Sequence, residues 1–146
     1  MNGAPITILL VEDEPAHAEI VRRNLAAGRV ANHMFWVADG QAALDFLRHE
    51  GAYAPPAKAP TPGLVLLDLR LPKIDGLEVL RTIKADPNLR RIPVVIMTTS
   101  AAEIDVVRAY ENHANSYVTK PLDLAQFTTL LDTLGYYWLV WNQPPQ

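Results

Sequence analysis

Cysteine is absent from the 146-residue chain, which excludes disulfides, thiolate metal sites and cysteine nucleophiles and accords with a reducing compartment. Runs of Lys or Arg are missing too. Thirteen basic residues stand against sixteen acidic ones, a formal charge of −3, so nothing could neutralise a row of phosphates and direct nucleic-acid binding is disfavoured. The longest apolar runs, such as Ile8 to Val11 and Gly63 to Leu67, fall far short of the roughly 18–20 residues of a membrane span. Met1 to Pro5 has no basic region leading into an apolar stretch, so we expect no signal peptide and a cytoplasmic location. No Walker motif or Ser-His-Asp grouping appears, and His17, His33, His49 and His113 show no ligand-like spacing.

Core material, by contrast, is plentiful: 49% of residues are apolar, enough for one sizeable core and against disorder. We expect a single domain over 1–146, with its core over about 5–134 and a tail over 135–146. Five short, β-branched apolar runs read as strands buried on both faces: Ile6 to Val11, Met34 to Val37, Leu64 to Leu67, Pro93 to Met97 and Ser116 to Thr119. Between and after them, apolar residues three and four apart read as amphipathic helices. The inward residues would be Ala16, Ile20, Val21 and Leu25; Ala42 or Ala43, Phe46 and Leu47; Leu77, Leu80 and Ile83. A fourth helix from about Ala101 to His113 and a fifth from about Leu124 to Leu134 complete the set. Pro15 suits a first helical turn, Asp39 and Ser100 suit N-caps, and Asp86-Pro87 ends a helix. Alternation of this kind predicts an α/β, doubly wound, five-stranded parallel sheet, (βα)5, with ligands at the C-terminal strand ends. Gly51 to Gly63, with four prolines, reads as a stiff surface loop.

The residues at those strand ends are Glu12 and Asp13, Asp68, Thr98 with Thr99, and Lys120. Taken singly, an Asp after a strand is more often a helix cap or loop acid. Together, three acids on one rim repel one another, and a hard divalent cation with oxygen ligands relieves that cost; Mg²⁺ is the natural candidate. Charge held against Asp68 would let its carboxylate attack a phosphoryl group, with Lys120 supplying further positive charge and Thr98 donating to a phosphoryl oxygen.

Four motifs carry a family resemblance: Val11-Glu12-Asp13-Glu14, Leu67 to Gly76, Met97 to Ser100, and Tyr117-Val118-Thr119-Lys120-Pro121, with Thr98 thirty and Lys120 fifty-two residues beyond Asp68. The chain resembles the receiver domain of two-component response regulators over essentially its whole length. The resemblance implies a flavodoxin-like fold with strand order 2-1-3-4-5 and a phosphoacceptor, Asp68, supplied by a sensor histidine kinase. It implies Mg²⁺ held by Asp13, Asp68 and the Arg70 carbonyl, with Glu12 binding through a water. It further implies Lys120 paired with Asp68 or its phosphoryl oxygen, a Thr98–Tyr117 switch, and a cis Lys120–Pro121 peptide. Arg70 departs from the Asn, Met or Glu often found two residues after the phosphoacceptor.

After the fifth helix come only Gly135 to Trp141 and a polar end, so we expect output through protein contact or a phosphorelay. Phe127, Leu131, Leu134, Trp138 and Trp141 step as a heptad seam, and with Tyr137 they suggest a homodimer interface; the other reading is a tail folded onto its own domain. The Trp-Leu tail, the Pro-containing loop and Asn88 to Val95 resemble small regulators paired with bacterial phytochromes, which makes a bacteriophytochrome kinase the implied partner. Two other classes compete. A Mg²⁺-dependent aspartyl-phosphate phosphatase usually has an acid where Arg70 stands. A flavin-binding module would have a Ser-, Thr- or Gly-rich loop in place of Glu12-Asp13-Glu14.

Overall fold

The computed structural model describes residues 6–27, 32–98, 116–119, 125, 126 and 129; at 27, 32, 98, 116, 117 and 119 only the backbone is described. Five strands form one parallel sheet: β1 (Ile6–Val11), β2 (Asn32–Val37), β3 (Leu64–Asp68), β4 (Val94–Thr98) and β5 (Ser116–Thr119), in the order β2-β1-β3-β4-β5. Among the described residues three α-helices lie between them: α1 (Pro15–Ala27), α2 (Gly40–Arg48) and α3 (Gly76–Ala85). The predicted fourth helix lies outside the described residues, and of the fifth only Ala125, Gln126 and Thr129 are described, all helical.

The three inner strands β1, β3 and β4 are apolar almost throughout because each contributes to two cores. Leu9, Val11, Val65, Leu67, Val94 and Ile96 pack on one face with α2 and α3, through Ala43, Phe46, Leu47, Val79 and Ile83. The alternate residues Ile8, Leu10, Leu64, Leu66, Val95 and Met97 pack on the other face with Ala18, Val21 and Leu25 of α1. Ala16 and Ile20, expected inward, are exposed; the stripe 18, 21, 25 turns toward the sheet instead. β2 begins two residues earlier than expected. β4 begins one later, because Pro93 has no N–H for the ladder, although its carbonyl still accepts from Val65.

Of the two predicted N-caps, Asp39 is in place and Ser100 lies outside the described residues, while Asp75 caps α3. Asp39 accepts from Ala42 N–H at 2.7 Å and Asp75 from Glu78 N–H at 3.0 Å, each satisfying a donor in a helix's first turn. Asp86 closes α3, after which Lys84 Nζ donates to the carbonyls of Arg90 and Ile92 and ties the turn to β4; burial lowers the pKa of that amine. The stretch expected as a stiff surface loop opens with a short 3-10 turn (Gly51–Tyr53), whose Tyr53 ring packs edge-on against Phe46 at 5.0 Å, and it contains a cis Pro55–Pro56 peptide.

Candidate metal and phosphoacceptor site

Strand order reverses at β1, with β2 on one side of it and β3 on the other, so the crevice at the C-terminal ends of β1 and β3 is where such parallel sheets bind ligands. Val11 of β1 is in register with Leu67 of β3, which brings the next residues, Glu12 and Asp68, opposite each other on strands about 4.8 Å apart. Asp68 is therefore the last residue of β3, not the first after it. Oxygen atoms of Glu12, Asp13 and Asp68 all lie within 4.8 Å of one another.

The three acids sit in different surroundings. Glu12 is fully buried, and its Oε2 accepts from Glu14 N–H at 3.1 Å. Asp68 is nearly so, and its Oδ1 accepts from Arg70 N–H at 3.2 Å. Asp13 is exposed. Like charges at this spacing repel by about 1 kcal/mol in water and several times that in a protein's lower dielectric. An all-oxygen donor set of three carboxylates fits a hard divalent cation and has no nitrogen or sulfur donor of the kind softer metals prefer.

An open cleft of about 560 Å³ lies between Asp13 and the segment after β3, lined also by Arg70, Leu71, Pro72 and Asp75. That segment is pinned at both ends. Gly76 N–H donates to Leu69 C=O at 2.9 Å, and a Cβ at Gly76 would stand 2.3 Å from Asp68 O. Gly40 N–H reaches Pro72 C=O at 3.4 Å, a Cβ there would meet Ile74 O at 1.9 Å, and Lys73, with φ 69°, extends to Asp39 at 3.5 Å. Both helix starts thus press on the loop that follows the candidate phosphoacceptor.

Of the other predicted residues, Thr98 ends β4 opposite Thr119 of β5, and Tyr117 pairs with Ile96. The side chains of Thr98 and Tyr117 lie outside the described residues, as do Lys120, Pro121, Phe127, Leu131, Leu134, Tyr137, Trp138 and Trp141. Arg70 is exposed, and its described contact with Asp68 is through the backbone N–H.

Two neighbours were not anticipated from the sequence. His17 Nδ1 lies 3.8 Å from Glu12 Oε2, and the Trp36 indole N–H donates to Glu12 C=O at 2.6 Å. The first could be foreseen from its place in the opening turn of a helix that begins just after Glu12. The second required the β1–β2 register.

A family model, the response regulator receiver domain, matches residues 8–132. This chain belongs to that family. Receiver domains are phosphorylated by histidine kinases and bind a divalent metal. Among its relatives are the probable methanogenesis regulatory protein FilR2 of Methanothrix harundinacea, 47% identical over 97% of this chain and 88% of the relative, and the response regulator Rcp1 of Synechocystis sp., 43% identical over 94% and 92%. Rcp1 has been solved in a Mn(2+)-bound form that superposes with a TM-score of 0.74, at 42% identity over 97% of this chain and all of that one. The bacteriophytochrome response regulator RtBRR superposes at 0.86, with 42% identity over 97% of this chain and 85% of that one. The receiver fold with order 2-1-3-4-5 is as expected, and membership in the family disfavours both the phosphatase and the flavin-module readings. Among the described residues no helix is long and apolar enough to cross a membrane.

Proposed function

We propose that this receiver domain works as a stand-alone response regulator that takes a phosphoryl group from a histidine kinase onto Asp68, with Mg²⁺ as its cation. The observation that carries this is the convergence of the Glu12, Asp13 and Asp68 oxygens within 4.8 Å at the reversal point of the sheet. Asp13, Asp68 and the Arg70 carbonyl would hold the cation, and Glu12 would act through a water. When bound, the cation offsets the charge of the acids and of the incoming phosphoryl group. Arg70 N–H fixes one oxygen of Asp68, leaving the other to form the P–O bond as the donor's P–N bond breaks and the leaving imidazole takes a proton. Lys120 pairs with a phosphoryl oxygen, and Lys120–Pro121 is cis. Thr98 moves toward the new group, Tyr117 follows, and the surface built around β5 changes.

The chain is a phosphoacceptor, with self-dephosphorylation as its only turnover, located in the cytoplasm and acting without nucleic-acid contact. The likeness to RtBRR and to Rcp1 supports a bacteriophytochrome kinase as donor. The domain occupies 1–146, with Phe127, Leu131, Leu134, Tyr137, Trp138 and Trp141 pairing two copies.

Incubation with acetyl phosphate, with and without Mg²⁺, followed by intact-mass measurement tests the central reading. One phosphoryl group should be added, only with the metal, and none in Asp68→Asn. Metal-independent labelling, or labelling that survives the substitution, overturns it. Sedimentation of a chain cut after Leu134 tests the pairing: a mass that falls to the monomer supports it, and a dimer that persists removes the tail's role.

A further inference from the structure

Among the described residues three large apolar side chains are substantially exposed, and two of them, Phe35 and Trp36, are neighbours on β2. Phe35 has a packing partner, with its ring centroid 5.5 Å from that of Phe46. Trp36 is 44% exposed, so burial is a weak account of its presence. Its polar end is better employed: the indole N–H donates to the Glu12 carbonyl at 2.6 Å, while Glu12 N–H donates to the Val37 carbonyl at 3.1 Å. The last two residues of β2 therefore hold both backbone polar groups of Glu12. Fixing the peptide planes on either side of one Cα sets where the Glu12 carboxylate points and where the next residue, Asp13, begins.

We infer that Trp36 is a positioning residue for the cation site, its indole N–H locking the Glu12–Asp13 peptide so that both carboxylates converge on Asp68. The inference rests on the proposed reading of those three acids as the site of a divalent cation. Phenylalanine would fill much of the same volume without supplying the donor. Because the indole touches the backbone between two of the acids, its N–H also senses occupancy of the site.

The test is a Mg²⁺ titration of the full-length, ¹⁵N-labelled protein by NMR, with the Trp36 indole N–H signal assigned by its loss in Trp36→Phe. That signal should shift and saturate at the same Mg²⁺ concentration as the backbone amides of Asp13 and Asp68. By calorimetry Trp36→Phe should bind Mg²⁺ about 3–10-fold more weakly, the scale of one hydrogen bond. A merely packing role would lower the thermal midpoint and leave the Mg²⁺ Kd unchanged. If the amides of Asp13 and Asp68 titrate while the indole stays still, or if Trp36→Phe keeps wild-type affinity, the inference fails and the proposed function stands. If no signal moves, the cation reading fails and takes the inference with it. Should Trp36→Phe not fold, the wild-type indole titration, with the signal assigned by sequential NMR, decides alone.

Discussion

Two acidic sites on this chain, one a single carboxylate and the other three, are arranged on opposite principles. Glu19, on the outer face of α1, lies between Arg22 and Arg23, three and four residues on, and accepts from their Nε atoms at 2.9 and 2.8 Å. Hydrogen bonds from Arg22, then Arg23, lower its pKa to about 2. At the sheet's rim, Glu12, Asp13 and Asp68 crowd one another, and the contacts described for the carboxylate groups of Glu12 and Asp68 are two backbone amides and one histidine at 3.8 Å. Glu19 is more than neutralised by its two arginines, and ion pairs on an exposed helix surface contribute little to stability. The second site brings three like charges together, and their mutual repulsion is a cost that stability alone would not favour. Like charge crowded at a strand-end crevice points to a ligand; an acid paired with arginines on a helix surface does not.

Substitutions should split the two sites. Asp68→Asn is the largest case: phosphoryl uptake from acetyl phosphate, read by intact mass, should vanish while the fold is kept. Asp13→Asn should weaken Mg²⁺ binding by at least the ~10–100-fold that loss of a ligand's supporting contact costs. The same change should raise the unfolding free energy of the metal-free protein by about 1 kcal/mol, because one like charge is gone. A destabilised metal-free Asp13→Asn in denaturant titration would contradict the crowding argument.

Gly76→Ala sits between the extremes. Its methyl group would displace the Asp68–Leu69 backbone, at about 1–3 kcal/mol of stability by thermal melt, and phosphoryl uptake should slow as well. Glu19→Gln should do least, leaving phosphoryl uptake and Mg²⁺ affinity at wild-type values. Its pKa is depressed in the folded state, so its contribution is complete above the ordinary carboxylate range near 4.5 and fades as pH falls through about 2. Acid unfolding curves of Glu19→Gln and wild type should therefore differ slightly at pH 5 and converge at the acid extreme, and the difference should shrink in high salt.

Much of this was legible in the residue order. Strands buried on both faces announce themselves as apolar runs, and the parallel order follows from alternation, so the acids at the ends of β1 and β3 could be placed on one rim before any coordinates. Strand ends shifted by a residue or two because ladder membership depends on hydrogen bonding that side-chain type reports poorly, as at Pro93 and Asp68. Ile20 faces outward because two overlapping apolar stripes run along α1 and only packing selects between them. Trp36 was passed over for a different reason: its contact with Glu12 spans twenty-four residues and exists only once β1 and β2 are in register. The four resemblance motifs pointed to Lys120 and Tyr117, but those roles rest on side chains beyond the described residues.

Gly40 and Gly76 carry no chemistry, yet each stands where a single methyl group would collide with backbone oxygen. A saturation screen scored on signalling output would thus rank both beside the acids as intolerant, and a reader of such a map would be misled into assigning them a chemical task. Measuring abundance and output in parallel separates the cases: glycine variants lose both, whereas amide replacements of the acids lose output alone.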